Sequence, residues 1–432
     1  MHSSKDFGHK HSEAEFKQLQ EQGFSDAVSY VLEHSLFYQD HFANAEIDLA
    51  TAGDISNIKQ LPLTNKEDLA TRNDDFLCVN RRQVADHVTT SGSTGEPISF
   101  FLTESDLARL GLNEALGMTC AESSSEDIFQ LLTTIDKSFM AGMAYFLGVQ
   151  TLGAGIIRTG PGSPVMQWDS IARFNPTVLI TIPSFIIKML KYALENNIDP
   201  NSTSIKRIVC IGEPIRQQNF ELNKLGTQIQ KHWNIDLFST YASTEMGSAF
   251  TECGEGAGGH HQPEMCVLEV LDEDGNEVAS REAGEVVITT IGVEGLPLLR
   301  YRTNDICTIY REPCECGRIT PRLGPVIGRK EQMLKFKGTT VFPQAIFEIL
   351  ESEAGISEFY VEATNDRFLN DQIIVHLVQS ELASIGELML RGLFISKLRV
   401  VPEFRGHELM EMNSIIYPEK SRKVIKFMDS RS

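Results

Sequence analysis

Apolar residues recur at threes and fours over residues 13–45, where Phe16, Leu19, Phe24, Val28, Val31 and Leu32 share a face, and this spacing predicts helix. Beyond residue 97 the pattern changes. Short apolar runs such as IFQLLTTI, AGIIRTG, TVLITI and IKRIVCIG alternate with the helical stretches DSIARF, SFIIKMLKYALENN and IRQQNFELNKLGTQIQKHW. Strands covered by helices on both faces read as short apolar runs, so the alternation predicts a parallel α/β core. From about residue 264 the texture is β-rich. MCVLEVLDEDGNEV, GEVVITTI and ICTIYREP are separated by DG-type and Glu-Gly turns, which predicts an antiparallel or barrel-like segment. GRKEQMLKFKG, residues 328–338, is charged, bounded by glycines and suited to a connector. The remainder offers a short helix, QAIFEILESEAG, strands FYVEAT and DQIIVHLV, a further helix and a basic tail, which together predict a small α+β lobe.

A chain of 432 residues, 41% hydrophobic and 23% charged, has the composition of a soluble globular protein. No apolar run approaches the ~18 residues a membrane helix needs, and the amino terminus, MHSSKDFGHKHSEAEF, has no apolar signal region. Cytoplasmic residence without membrane association is the expectation. The charge of −20 argues against a large footprint on nucleic acid. Several of the eight cysteines sit in apolar runs such as RIVCIG, as reduced core thiols do.

Candidate chemistry begins at TTSGSTGEP, residues 89–97. Gly92 and Gly95 let the backbone aim its N–H groups at one point, and Thr90, Ser91, Ser93 and Thr94 add hydroxyls, a make-up suited to phosphate. It is neither a Walker loop nor a dinucleotide-binding fingerprint, because the Gly-Lys-Ser/Thr and G-x-G-x-x-G spacings are missing. Tyr241, Ala242, Ser243, Thr244 and Glu245 follow the apolar piece IDLFST, which predicts a loop at the carboxyl end of a strand, where open α/β sheets bind ligands. Glu245 is there a candidate for holding Mg²⁺ beside a triphosphate. In LPLLRYRTNDIC, Asp305 can accept hydrogen bonds from a ribose diol, and Arg300 or Arg302 can pair with phosphate; a salt bridge between Arg302 and Asp305 is the plainer alternative.

TTSGSTGEP, IGEP, YASTE, GEVVITT with LLRYRTND, and GRKEQML, in this order and spacing, resemble the adenylate-forming superfamily of acyl-CoA synthetases and adenylation domains. The nearer likeness is to phenylacetate-CoA ligases, through YVLEHSLFYQDHF, LPLTNKEDL and CECGRITPRLGPVIGR. The resemblance implies a large ATP- and acid-binding domain over 1–328, with α/β sheets plus a β-barrel-like segment. A small mobile α+β lid over 329–432 would pivot about 329–331. Thr90, Ser91, Gly92, Ser93, Thr94 and Gly95 would embrace the β- and γ-phosphates. Gly212, Glu213 and Pro214 would line the adenine, Tyr241 would stack on it, and Ala242 and Ser243 would belong to the nucleotide-binding set. Thr244 would touch the α-phosphate, Glu245 would bind Mg²⁺, Asp305 would grip the ribose, and Arg329 would lie at the hinge and contact ribose or phosphate, with Glu331 where the small lobe pivots. Lys420 in PEKSRKVIKF would bridge the reacting carboxylate and the α-phosphate. The chain has Glu419-Lys420 where the family has Gly-Lys, so Lys423 and Lys426 stand as alternatives, and Asn304 takes the place of the family's glycine before Asp305.

Cys253, Cys314 and Cys316 with His260 form a candidate Cys₃His set for structural Zn²⁺, with His261 as the alternative imidazole and buried thiols as the plainer reading. The implied reaction joins a small-molecule carboxylic acid to coenzyme A through an acyl adenylate, using ATP. DKSFMAGMAYFLG resembles the acyl-pocket segment, so Phe139, Met143 and Tyr145 are candidates for its wall and an aromatic acid is the expected substrate. A carrier-protein thiol or a hydroxyl remains the alternative acceptor, and a non-catalytic nucleotide sensor is the more distant one. The resemblance allows a homodimer.

Overall fold

The structure, a computed structural model, describes residues 11–90, 97–336, 339–365, 371–418 and 424–431, without the side chains of 335, 336, 339 and 340. The chain divides into two compact units. One takes in the chain to Thr303 plus Cys307–Pro325, and the other Asn304–Ile306 plus everything from Val326 onward. Among the described residues no helix is long and apolar enough to cross a membrane.

In the first unit the expected helix over 13–45 is two, Glu13–His34 and Leu36–Asn44. Ser35 divides them, because its extended backbone breaks the ladder and its Oγ accepts from Tyr38 N to start the second. The parallel core follows the apolar runs. Strands Gly155–Arg158, Ile128–Leu131, Val178–Thr181, Arg207–Cys210 and Asp236–Ser243 lie side by side in that order, in parallel register. Val178–Thr181 is buried throughout, as expected of a strand with neighbours on both edges and helices on both faces. Helices Glu104–Cys120, Met140–Leu152, Pro164–Phe174 and Pro183–Glu195 intervene. In IRQQNFELNKLGTQIQKHW only Lys224–His232 is helical, since Asn223 caps Gly226 N and Phe220 takes φ +68°.

The β-rich stretch does not stand apart from this core. The hydrogen-bonded order continues from Asp236–Ser243 through Ser248–Thr251, Gly259–His260, Arg322–Leu323, Tyr301–Tyr310 and Ala283–Thr290 to Cys266–Leu271. Two-residue strands make the splice, too short for periodicity to reveal.

The second unit is α+β. Its sheet runs Glu403–His407, Asp371–Val378, Phe359–Asn365, Phe427–Asp429, with Pro343–Ser352 and Glu387–Leu398 packing Ile346, Leu350 and Phe394 against Val361 and Val375. The outer strands, both parallel to their neighbours, were not expected from the sequence. GRKEQML is no bare connector either: Gly328–Arg329 pairs antiparallel with Asp305 and Ile306 before a 3₁₀ turn over Lys330–Gln332.

Candidate active site

YASTE is divided between a strand and a turn. The strand Asp236–Ser243 outruns its parallel partner at Ser239, and Thr240, Tyr241, Ala242 and Ser243 turn to pair antiparallel with Thr251, Phe250, Ala249 and Ser248. Tyr241, Ala242 and Ser243 are therefore strand residues where a loop was expected, because the returning strand satisfies their backbone groups. Thr244 and Glu245 fall in the tight link, which Gly247 completes at φ +53°. They line a small cavity of about 20 Å³, room for little more than one water, beside the buried Phe100, Phe101, Leu110 and Met140. Glu245 is half-buried with no ion-pair partner among the described residues, a carboxylate available to a hard cation. Arg109 lines the same cavity and was not singled out from the sequence.

At IGEP, Gly212 takes φ +72°. The Glu213 carboxylate accepts from Ser184 N and Ser184 Oγ, both at 2.8 Å, and so caps the helix Pro183–Glu195, whose own preceding residue offers no side-chain cap. Pro214 O accepts from Asn223 Nδ2. This triplet fastens two strand ends together. Thr90 closes the base of the glycine-rich loop, its N donating to Ile98 O and its Oγ1 accepting from Ile98 N, both at 3.0 Å. Ser91, Gly92, Ser93, Thr94 and Gly95 lie outside the described residues, as do Lys420 and Lys423.

The expected grouping of Arg300, Arg302 and Asp305 does not form. Arg300 and Glu269 make a buried two-bond pair at 3.0 and 2.8 Å, Arg302 meets Glu285 at 2.5 Å, and Asp305 faces Arg329 at 3.4 Å within the second unit. Strand geometry is the reason: alternate residues of Tyr301–Tyr310 point to opposite faces, and buried glutamates on the adjacent strand Ala283–Thr290 and on Cys266–Leu271 beyond it claim the guanidiniums. Asn304 replaces a glycine at a position that does take positive φ, +63°, which asparagine tolerates better than other side chains; its Nδ2 donates to Glu331 Oε1 at 2.9 Å.

The acyl-wall candidates stand in different surroundings. Tyr145 is buried in the core with Phe129, Val149 and Val178. Phe139 is the extended residue before the helix Met140–Leu152, Met143 is half-buried, and Met140 rather than either lines the small cavity beside Thr244 and Glu245. A helix turns about 100° per residue, so only one position of each turn meets the cavity. Beside Tyr145, burial pushes the Glu114 carboxyl up to about 8 against a hydrogen bond from Asn113. Lys426, the alternative to Lys420 that falls within the described residues, pairs with Glu351 at 2.5 Å and lies over the Phe359 ring.

The sulfur and imidazole donors converge. Ligand atoms of Cys253, His260, Cys314 and Cys316 all lie within 4.8 Å of one another. Cys253 Sγ and Cys314 Sγ are 3.7 Å apart, and Cys316 Sγ is 3.6 Å from His260 Nε2. A tetrahedral ion about 2.3 Å from sulfur and about 2.05 Å from nitrogen sets edges of about 3.8 Å and about 3.6 Å, so the set fits Zn²⁺. His260 Nδ1 reaches Thr320 Oγ1 at 3.4 Å, which leaves Nε2 for the cluster, and Arg318 donates to Cys316 Sγ at 3.4 Å. Burial, then the charges of Arg318 and Arg322, push His260 down to about 3 and keep it neutral. His261 is turned away, its Nε2 on Cys266 O at 2.7 Å. Cys120 joins this apolar sulfur cluster and was not expected there; its thiol donates to Thr251 O.

A parallel sheet with the Thr244–Glu245 turn at its carboxyl end is the frame of an adenylate-forming enzyme, and the family match assigns the chain to that class. The chain belongs to the AMP-binding enzyme family, which it matches over residues 28–294. It is similar to the phenylacetate-coenzyme A ligase of Thermus thermophilus, 27% identical over 338 residues that cover 77% of this chain and 74% of that protein. It is also similar to the phenylacetate-coenzyme A ligase of Escherichia coli, 26% identical over 378 residues, 85% of this chain and 83% of that one. In fold it resembles a 2-hydroxyisobutyryl-CoA ligase crystallised in the postadenylation state, with a TM-score of 0.82 at 19% identity over 99% of this chain and 94% of the other.

Proposed function

We propose that the protein is an ATP-dependent carboxylic acid:coenzyme A ligase that forms an acyl adenylate and then a thioester, with an aryl acid as substrate. The observation that carries this reading is the match to the AMP-binding enzyme family over residues 28–294, with Thr244 and Glu245 in the turn that follows the strand Asp236–Ser243. In the first step a carboxylate oxygen of the acid attacks the α-phosphorus in line. The acyl–phosphate bond forms and pyrophosphate leaves. Thr244 orients the α-phosphate, Tyr241 stacks on the adenine, and Asp305 holds the ribose hydroxyls. Lys420 supplies the cation that lets two anions approach. Mg²⁺, when bound, offsets phosphate charge, and Glu245 would hold it. In the second step the small unit pivots about 329–331, and the coenzyme A thiol attacks the activated carbonyl with AMP leaving.

Cys253, His260, Cys314 and Cys316 would hold a structural Zn²⁺, which cross-links the chain after the strand Ser248–Thr251 to the 314–316 turn. Four protein donors leave no open position, so this site shapes the domain and takes no part in the chemistry. The reading carries with it a cytoplasmic enzyme and a homodimer, the latter tested by light scattering.

Pyrophosphate release on a panel of aryl and short-chain acids, with and without coenzyme A, tests the proposal. Acid-dependent release that yields an acyl-CoA supports it. Acid-dependent release without acyl-CoA moves the acceptor to a carrier thiol or a hydroxyl, and no release with any acid refutes it.

A further inference from the structure

One face of the helix Glu104–Cys120 is given over to gripping backbone. Asp106 accepts from Glu294 N at 2.8 Å and Gly295 N at 2.9 Å. One turn on, Arg109 donates to three carbonyls from three separate segments: Nε to Ile291 O at 2.6 Å, Nη1 to Gly247 O at 2.6 Å and Nη2 to Met265 O at 2.5 Å. A further turn on, Asn113 Oδ1 accepts from Ala249 N at 3.1 Å. These residues follow the i, i+3, i+7 stripe of a helix. Arg109 and Asn113 thereby hold both sides of Ser248, immediately after the Thr244–Glu245 turn.

The Arg109 guanidinium has no carboxylate in ion-pair range among the described residues, although it is partly buried and lines the cavity. Burial accordingly pushes it down to about 10. A cation kept out of water, hydrogen-bonded only to carbonyls and with the Asp106 charge one turn away acting against its burial, is costly, and its planar fork suits donation in fixed directions. The turn has little of its own to fix it. Met246 N donates to Ser243 Oγ at 3.2 Å, and Gly247 stands at φ +53°, where an added Cβ would come within 3.3 Å of Arg109 Nη1.

We propose that Arg109 is a positioning residue that holds the Thr244–Glu245 turn in register with the cavity wall, acting through the carbonyl of Gly247. The proposal rests on the ligase reading in assigning Glu245 to Mg²⁺ and Thr244 to the α-phosphate. A guanidinium that only filled space would matter for stability. One that sets the turn matters for how the metal–nucleotide complex is met, and displacement by about 1 Å can cost about 10²-fold in rate.

The test compares full-length wild type, Arg109→Ala and Arg109→Lys. A non-hydrolysable ATP analogue is titrated by calorimetry with and without Mg²⁺, beside the kcat and KM of acid-dependent pyrophosphate release. In wild type Mg²⁺ is expected to tighten the analogue. In Arg109→Ala that gain is expected to vanish while Mg²⁺-free affinity stays within twofold, kcat falls about 10²-fold and the KM for the acid is unchanged. Added guanidinium ion is expected to restore part of both. Arg109→Lys, one ammonium facing three carbonyls, is expected to fall between, and it decides the matter if Arg109→Ala does not fold. A folded variant with unchanged kcat and the full Mg²⁺-dependent gain overturns the proposal. So does a rise in acid KM at unchanged kcat, which would make Arg109 a carboxylate-binding group. If wild type releases no pyrophosphate with any acid, the ligase reading fails, and the calorimetric comparison still decides the role of Arg109.

Discussion

Replacing Arg300 with methionine is expected to destabilise the protein without touching nucleotide binding. Arg300 is 3% exposed, and its side chain makes three bonds, two to Glu269 at 3.0 and 2.8 Å and one to Leu61 O at 2.6 Å. Glu269 is itself 2% exposed, so truncation strands a carboxylate in the core, at a cost of about 3–5 kcal/mol. Burial already raises the Glu269 pKa, with Arg300 working against it. Without Arg300 it rises further, and a carboxyl whose folded pKa lies above its unfolded value loses stability as pH climbs between the two. The deficit should therefore shrink toward acid. The double variant Arg300→Met with Glu269→Leu removes both charges and should recover most of the loss. Urea unfolding followed by the fluorescence of Trp168 and Trp233, both buried in the first unit, reads these differences. A single variant as stable as wild type that no longer binds ATP would refute the reasoning and return Arg300 to the phosphates. A double variant no better than the single would refute the buried-pair energetics.

Protein produced with zinc is expected to hold one ion per chain by mass spectrometry, lost in Cys316→Ser and weakened in His260→Ala but kept in His261→Ala; the reverse order for the two histidines would contradict the geometry. Thr320→Val, which removes the partner of His260 Nδ1, should weaken zinc about tenfold, the low end for a group behind a ligand given the 3.4 Å bond. Glu114, raised by burial to about 8 from 4.5, holds a proton in the folded state that the unfolded chain releases, so stability should fall as pH rises through that window. Glu114→Gln should flatten that dependence and gain about 2–4 kcal/mol near pH 8, read by urea titration at two pH values. Lys426→Met should cost about 1 kcal/mol or less, since its pair with Glu351 is partly exposed, and leave adenylation within a few-fold. Lys420→Ala should lower the adenylation rate by at least about 10²-fold in the same pyrophosphate assay.

Much of the fold was legible in the sequence because its core strands are buried on both faces. Val178–Thr181 and Arg207–Cys210 stand out as apolar runs whatever surrounds them. The strands that escaped notice are short or lie at sheet edges: Gly259–His260, Arg322–Leu323, Glu403–His407 and Phe427–Asp429 have too few residues or too mixed a burial to show a period. The convergence of Cys253, His260, Cys314 and Cys316 could be foreseen because thiols and imidazole in a C-x-C context have few other uses, and spacing favoured His260. Arg300 and Arg302 misled because a charge beside an apolar run reads the same whether it meets a phosphate or a buried glutamate. Only the next two strands of the sheet, carrying Glu285 and Glu269, decide between the two. Met140 and Arg109 were missed for a related reason. Which residue of a helix turn faces a cleft depends on the rotation of that helix, and a guanidinium whose partners are carbonyls of Gly247, Met265 and Ile291 leaves no side-chain signature.

The most direct test of the ligase itself is a single-turnover experiment in which enzyme, ATP, Mg²⁺ and the best acid of the panel are mixed, quenched at intervals and analysed by mass spectrometry, with coenzyme A withheld and then added. Acyl adenylate that accumulates in stoichiometric amount and converts to acyl-CoA and AMP on addition of coenzyme A is the expected result. Adenylate that persists when coenzyme A is added would contradict the assignment of the acceptor, and failure of any adenylate to form would contradict the proposed function as a whole.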